Sequence, residues 1–169
     1  MNANDEAFSD AVDHHWKSIF QLGLRMFGNM ADAEEAAQQT FFQAYLKWDQ
    51  FEGRAQVKTW LFRIALNVCH KQLTQQGRFR GTPLDVEHQL AAPSPDRQAE
   101  EAKSAVSVAF GQLEPKHQLI LTLFCIDGLK HSEISEILAV PEGTTWSRLH
   151  TAKTKLEEKL KVALLEANS

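Results

Sequence analysis

The sequence has no apolar run that approaches the roughly 18–20 residues of a membrane-spanning helix. Its first ten residues, MNANDEAFSD, are acidic and polar, unlike the basic and then apolar start of a secretory signal. Its two cysteines, Cys69 and Cys125, both have apolar neighbours, which favours reduced thiols in the core over a disulfide framework. We therefore expect a cytoplasmic protein.

Glycine and proline are also scarce, with eight and five residues among 169, which excludes fibrous and low-complexity chains. The hydrophobic fraction of 43% and the ten phenylalanines exclude a disordered chain. Period-2 alternation and Asn-Gly hairpin signals are missing, whereas apolar residues recur at helical spacing along most of the chain. The predicted fold class is all-α.

The helical pattern divides into two units. Residues 1–76 carry three long apolar-periodic segments, over 8–27, 32–48 and 57–75. Residues 77–101 lose the periodicity and hold three of the five prolines, with five acidic against three basic residues, which is typical of a linker. Residues 102–169 predict four helices, of which the third is short and has Ser132 as its candidate cap. We predict two small helical domains joined by a flexible linker.

The net charge of −4 gives the chain no general attraction to a polyanion. The charges are unevenly placed, however, because residues 54–80 contain six Arg or Lys and residues 143–156 contain three, and neither range contains an acid. Either basic range alone is typical of a solvated helix face. Because a partner senses charges within roughly 10 Å at ordinary salt, the two ranges together favour nucleic acid as the partner.

The wheel of residues 57–75 has an apolar stripe and a mixed polar face opposite it. The stripe consists of Val57, Leu61, Ile64 and Val68, and the opposite face of Thr59, Trp60, Arg63, Asn67, His70 and Thr74. An indole beside cations can stack an unpaired base, which contributes roughly 1–3 kcal/mol. A tryptophan in a small bundle more often packs against a neighbouring helix, and the wheel alone favours packing for Trp60.

Residues 129–156, LKHSEISEILAVPEGTTWSRLHTAKTKL, have the pattern of a helix-turn-helix in which Pro141 suits the first turn of the second helix. The buried face of this helix is predicted to be Thr145, Leu149, Ala152 and Leu156, and the opposite face Gly143, Ser147, His150, Thr151 and Thr154. Short polar side chains between flanking cations suit a DNA groove. Trp146 lies at the boundary, and we expect partial exposure, with its ring against the sugar-phosphate backbone or a thymine methyl group.

Three ordered segments carry a family resemblance: DAEEAAQQTFFQAY (32–45), FEGRAQVKTWLFRIALNVCHKQL (51–73) and residues 113–156. Together they resemble the bacterial RNA polymerase sigma factors of the sigma-70 family, specifically the extracytoplasmic-function (ECF) group, which keeps regions 2 and 4. The resemblance implies that residues 1–76 form a region 2-like domain for core polymerase binding and for minus-10 recognition and melting. Residues 102–169 would form a region 4-like domain for minus-35 recognition.

The resemblance implies three sets of site residues. Core polymerase would be bound by Asp32, Glu35, Gln38, Gln39 and Phe41. The minus-10 element would be bound by Arg54, Lys58, Trp60, Arg63, Asn67 and Lys71, and the minus-35 element by Thr144, Trp146, Ser147, Arg148, His150, Thr151 and Lys153. Trp60 would thus lie at the edge of the melting surface. Trp146, His150 and Thr151 stand where the family frequently has Arg or Lys, so the promoter sequence cannot be copied from a relative.

The leading hypothesis is a dissociable promoter-specificity subunit with no catalytic residues, cofactor, metal or small-molecule substrate of its own. The resemblance implies core RNA polymerase, promoter DNA and an anti-sigma factor, often membrane-bound, as partners. The alternative is a conventional helix-turn-helix regulator with an N-terminal helical sensor or dimerisation domain, which would bind duplex DNA without polymerase. The seven histidines and two cysteines form no clustered ligand set that would favour a metal sensor or an enzyme.

Overall fold

The computed structural model describes residues 3–77 and 105–167. The predicted linker lies outside the described residues except for Gly77, as do residues 102–104 of the predicted second domain. The described residues form seven α-helices and no strand, which confirms the all-α prediction. The helices are α1 (Ala3–Phe27), α2 (Met30–Leu46), α3 (Val57–Gln75), α4 (Ala105–Gly111), α5 (Pro115–Leu121), α6 (His131–Leu138) and α7 (Glu142–Ala167).

The first unit, residues 3–77, packs α1, α2 and α3 against one another. A tight turn joins α1 to α2, where Gly28 has a φ of 74° and the Asn29 side chain accepts a hydrogen bond from the Asp32 amide at 2.9 Å. The two helices approach closely at Gly23, since a Cβ atom there would lie 3.2 Å from the Cα of Ala33. The glycine thus sets how closely α2 can pack on α1.

Helix α3 supplies the centre of the first core. Leu61 and Phe62 are fully buried, and Ile64 and Val68 are nearly so, as the predicted stripe requires. Val57 is only partly buried. A short 3₁₀ turn, Trp48–Gln50, and the loop after it lead from α2 into α3. The apolar stripe therefore fixes which face of α3 remains for solvent or for partners.

The second unit, residues 105–167, contains α4 to α7, and α7 packs against α4, α5 and α6. Helix α5 begins at Pro115 and continues as a π-helical turn over Thr122–Ile126, in which the amide of Asp127 donates to the carbonyl of Thr122 at 2.9 Å. A π turn inserts one residue into the helical repeat. Cys125 consequently faces solvent, and the prediction that it lies in the core is wrong.

Helices α6 and α7 form the predicted helix-turn-helix, with the turn made by Ala139 in the left-handed region at a φ of 53°. The N-terminus of α6 is held by Glu133, whose Oε2 accepts the amide of Lys130 at 2.7 Å. Ser132 lies inside the helix and does not cap it, so that prediction is wrong. On α7, Thr145, Leu149 and Ala152 are buried as predicted.

Candidate nucleic-acid interface

A continuous polar and basic face runs along α3. Arg63, Asn67 and Lys71 are exposed and lie four residues apart, so they share one side of the helix. Arg54, in the loop before α3, is exposed as well and pairs with Glu52 at 2.5 Å. These four predicted minus-10 residues therefore lie on the surface of the first unit.

Trp60 lies at the N-terminal end of this face within an aromatic cluster. Its ring centroid is 4.9 Å from that of Phe51 and 5.9 Å from that of Trp48, and the Trp48 and Phe51 rings stack at 5.8 Å. All three rings are only partly buried. Trp60 thus packs against two rings, as the wheel predicts, and is also partly exposed beside the basic face of α3, as the resemblance implies.

The α2 helix has an exposed mixed face made of Glu35, Gln38, Gln39, Phe42 and Leu46. Phe42 is 58% and Leu46 62% exposed, although large apolar side chains usually lie inside. Sequence reasoning missed both residues, although the helical spacing of the alanines on α2 already marks its buried face and therefore places Phe42 and Leu46 outside it.

Phe41 does not belong to this exposed face. It is 6% exposed and stacks on Trp16 with ring centroids 5.5 Å apart. Its assignment to polymerase binding is corrected on this ground, because a buried ring cannot touch a partner while the core is intact. Asp32 is half-buried and accepts a hydrogen bond from Asn29 Nδ2 at 2.8 Å, so it holds the start of α2.

The outer face of α7 is exposed along two turns. Trp146, Ser147, His150, Thr151 and Lys153 all face solvent, and Trp146 is 59% exposed, which confirms the expected partial exposure. The two other predicted minus-35 residues, Thr144 and Arg148, are half-buried at the edges of this face. The structure thus brings the predicted set together on one helix.

Hydroxyl groups on the outer face of α7 donate hydrogen bonds to the helix backbone. Ser147 Oγ donates to the carbonyl of Thr144 and Thr151 Oγ1 to that of Ser147, both at 3.0 Å. With their protons so used, the oxygens present lone pairs outward. An amino group on a base edge, on adenine or cytosine, is the complementary partner for such acceptors.

The described residues, 3–77 and 105–167, contain no group of three His, Cys, Asp or Glu side chains that could hold a metal ion. Burial raises the pKa of the Cys69 thiol to about 12, so this cysteine stays protonated and unreactive at neutral pH. No helix of the described parts is both long and apolar enough to cross a membrane.

The two units match two consecutive family models, Sigma-70 region 2 over residues 11–79 and Sigma-70 region 4 over residues 104–156. The chain is 31% identical to the ECF RNA polymerase sigma factor SigW of Bacillus subtilis, an alignment that covers 94% of this chain and 91% of the relative. The chain belongs to the ECF sigma factors. It is also 30% identical to the RNA polymerase sigma-H factor of Pseudomonas aeruginosa, covering 99% of this chain and 93% of that one.

Solved structures similar to this sigma factor share its fold. CnrH, solved in complex with the cytosolic domain of CnrY, superposes with a TM-score of 0.64 at 25% identity and covers 99% of this chain and 92% of its own. The sigma factor RpoE of Bartonella quintana, solved with the anti-sigma factor NepR, gives a TM-score of 0.70 at 22% identity over 93% and 98% of the two chains. As a member of this family, the protein directs RNA polymerase to promoters.

The two units of this sigma factor contact each other through α3 and α6. Thr59 Oγ1 donates to Glu133 Oε1 at 3.1 Å, and Lys58 Nζ donates to the carbonyl of Asp127. Thr59 lies in this contact and is 2% exposed, which corrects its predicted place on the free face of α3. Glu133 thus caps α6 with one oxygen and holds α3 with the other.

An ion pair lies in the same contact, where Arg25 donates to Asp127 Oδ2 at 3.2 Å. Burial raises the pKa of Asp127 more than Arg25 and Lys58 lower it. Burial likewise lowers the pKa of Arg25 more than Asp127 raises it. For both partners the loss of hydration outweighs their attraction, so the ion pair adds little net free energy to the association of the two units.

Proposed function

We propose that this ECF sigma factor binds core RNA polymerase through the exposed face of α2 and recognises promoters with two separate surfaces. The basic face of α3 and its aromatic cluster would take the minus-10 element, and the outer face of α7 would take the minus-35 element. The observation that carries the proposal is the presence of all three faces, one mixed apolar and two basic or polar, in one chain of net charge −4.

On α3, the residue chemistry supports capture of an unpaired base beside a held backbone. Arg63 and Lys71 offer charge to phosphates, and the partly exposed rings of Trp48, Phe51 and Trp60 offer a stacking surface. A face with both properties suits single-stranded DNA better than a duplex, whose bases are already stacked. The first unit is therefore assigned to melted minus-10 DNA.

On α2, the exposed apolar residues support a protein partner. Phe42 and Leu46 lie among Glu35, Gln38 and Gln39, and an apolar centre with a polar rim is the usual anatomy of a protein interface. Phe42 replaces Phe41 as the aromatic residue of the polymerase contact. The similar protein RpoE was solved bound to the anti-sigma factor NepR, and CnrH was solved bound to the cytosolic domain of CnrY, which supports an anti-sigma partner here as well.

The protein is proposed to act in the cytoplasm and to have no catalytic chemistry of its own, since polymerase forms the phosphodiester bonds. The conventional regulator with an N-terminal sensor has no observation in its favour beyond the helix-turn-helix itself.

Titration of labelled protein with core polymerase tests the α2 surface. Phe42→Ala should weaken binding about tenfold or more, because exposed aromatic side chains at interface centres are common hot spots. Val162→Ala, which removes an exposed apolar side chain 49% accessible on α7, is the matched control and should bind as the wild type does. Equal affinity of Phe42→Ala and wild type would refute the α2 assignment.

Open-complex formation as a function of salt tests the α3 surface. Lys71→Ala should weaken promoter opening and lower the slope of log affinity against log salt by about one, the effect of one lost phosphate contact. Lys17→Ala changes an exposed lysine on α1, outside the three surfaces, and should leave the slope unchanged. A slope that does not change in Lys71→Ala argues against phosphate binding by this face.

A further inference from the structure

Four side chains form a continuous stack across the helix-turn-helix. The rings of His131 and Trp146 lie face to face, with centroids 3.7 Å apart and an interplanar angle of 13°. Phe124 backs His131 at a centroid distance of 5.1 Å, and the Lys153 ammonium lies 4.9 Å from the centre of the Phe124 ring. The stack therefore connects two outward residues of α7 through one residue of α6 and one of the π turn.

His131 is itself held in place. It is the first residue of α6, it is half-buried, and its Nδ1 lies 3.4 Å from Oγ1 of the fully buried Thr145. Thr145 Oγ1 donates its proton to the carbonyl of Glu142 at 2.7 Å, so the imidazole N–H is the donor toward Thr145. A ring fixed by Thr145 on one side and by Phe124 on another provides a rigid support.

Trp146 depends on this support, because it is 59% exposed and its ring stacks on that of His131. Without the His131 imidazole, the Trp146 indole would sample several rotamers in the free protein. It would then lose this conformational entropy on binding DNA. Ordering one such side chain costs roughly a factor of two to ten in affinity. With one indole face covered, the ring edge and the other face are what Trp146 can present to DNA.

We infer that His131 is a positioning residue for minus-35 recognition, which fixes Trp146 so that its indole contacts the methyl group of a thymine in the major groove. This inference rests on the proposed minus-35 role of α7. A fixed apolar ring recognises the thymine methyl because that group is the one apolar feature of the major-groove base edges. His131 does not need to touch the base itself.

Transcription from a library with randomised minus-35 bases, using reconstituted holoenzyme, tests the inference first. Wild-type protein should select thymine at one or more positions, and Trp146→Ala should lose that selection at one of them. His131→Ala should weaken selection at the same position, whereas His131→Phe, which keeps a flat ring against the indole, should retain it. In the double variant His131→Ala/Trp146→Ala the loss should not exceed that of Trp146→Ala alone.

Replacing that thymine by uracil, which removes only the methyl group, gives the second readout. The wild-type holoenzyme should lose about three- to fivefold in promoter use, the effect of leaving one methyl unburied. Trp146→Ala should not distinguish thymine from uracil, and His131→Ala should distinguish them less than wild type does. His14→Ala, a change of an exposed histidine on α1, is the control and should behave as wild type.

The outcomes separate the two levels of the claim. Wild-type holoenzyme without any minus-35 preference would overturn the proposed role of α7 and the inference with it. A preference that Trp146→Ala alters and His131→Ala leaves intact would overturn the inference alone. So would His131→Ala lowering the melting temperature and total transcription while its base preference and its thymine-to-uracil ratio equal those of wild type.

Discussion

The contact between the two units should be opened by removing one partner of its ion pair. Asp127 has a side chain 4% exposed and Arg25 one 26% exposed, so Asp127→Ala leaves a guanidinium that is largely buried without its counter-charge. Breaking a fully buried pair in this way costs roughly 3–5 kcal/mol and breaking an exposed pair about 0–1 kcal/mol. An intermediate cost of about 1–3 kcal/mol shifts the equilibrium between closed and open forms by about 5- to 150-fold.

In the double variant Arg25→Met/Asp127→Leu, the contact between the two units should form again. Loss of hydration is the largest cause of the pKa shift of both groups. Apolar replacements of similar size therefore remove the free-energy cost of burying two charges as well as the attraction between them. We expect the double variant to lie within about 1 kcal/mol of wild type. Asp13→Ala, an exposed aspartate on α1, is the control that should leave the equilibrium unchanged.

The distance between the units provides the assay. Cysteines introduced at the exposed positions Lys17 and Lys159, in a Cys125→Ser background, place one label on each unit, and buried Cys69 stays unlabelled. Asp127→Ala should lengthen the distance measured by energy transfer, because it shifts the population toward the open form. An unchanged distance in Asp127→Ala, or a double variant more open than the single one, would refute the reasoning.

Three further predictions concern single positions. Native protein should expose one reactive thiol, Cys125, and denaturant should expose Cys69 as well; two fast thiols in the native state would contradict the burial of Cys69. Gly23→Ala should lower the free energy of unfolding by roughly 1–3 kcal/mol, because its Cβ meets the α2 backbone, whereas Gly143→Ala in open space should raise it by up to about 1 kcal/mol. Hydrogen bonds from Lys116 and Lys155 lower the pKa of Glu114 to about 2, so the ionised carboxylate stabilises the folded protein at neutral pH. Glu114→Gln should therefore melt at a lower temperature than wild type at neutral pH, and this difference should disappear as pH falls from 4.5 toward 2. A melting-temperature difference independent of pH would contradict this.

Helix faces could be predicted from the sequence because they depend only on the period of the α-helix. The buried stripe of α3 and both faces of α7 follow largely from spacing alone, although Val57 and Leu156 are only partly buried. Phe41 and Phe42 could have been distinguished in the same way, since Phe41 continues the buried positions Ala33, Ala37 and Ala44. The resemblance placed the proposed polymerase-binding segment on α2, and a helical wheel of α2 would have selected Phe42 in place of Phe41.

Other features depend on contacts between residues far apart in the chain. Thr59 donates a hydrogen bond to Glu133, 74 positions away, and Lys58 donates one to Asp127, 69 positions away, so periodicity on α3 could not reveal either. Cys125 faces solvent because a π turn shifts the helical phase after Leu121. The stack of His131 on Trp146 likewise joins two helices whose spacing the sequence did not specify.

Run-off transcription most directly tests the claim that this chain is a promoter-specificity subunit acting through the α2, α3 and α7 surfaces. Core polymerase with and without the protein is supplied with genomic DNA fragments, and the 5′ ends of the transcripts are mapped. We predict start sites that require both components and that lie downstream of shared minus-10 and minus-35 elements, with no stable duplex binding by the protein alone. Tight, sequence-specific duplex binding without polymerase, together with unchanged start sites when the protein is added to core enzyme, would contradict the account.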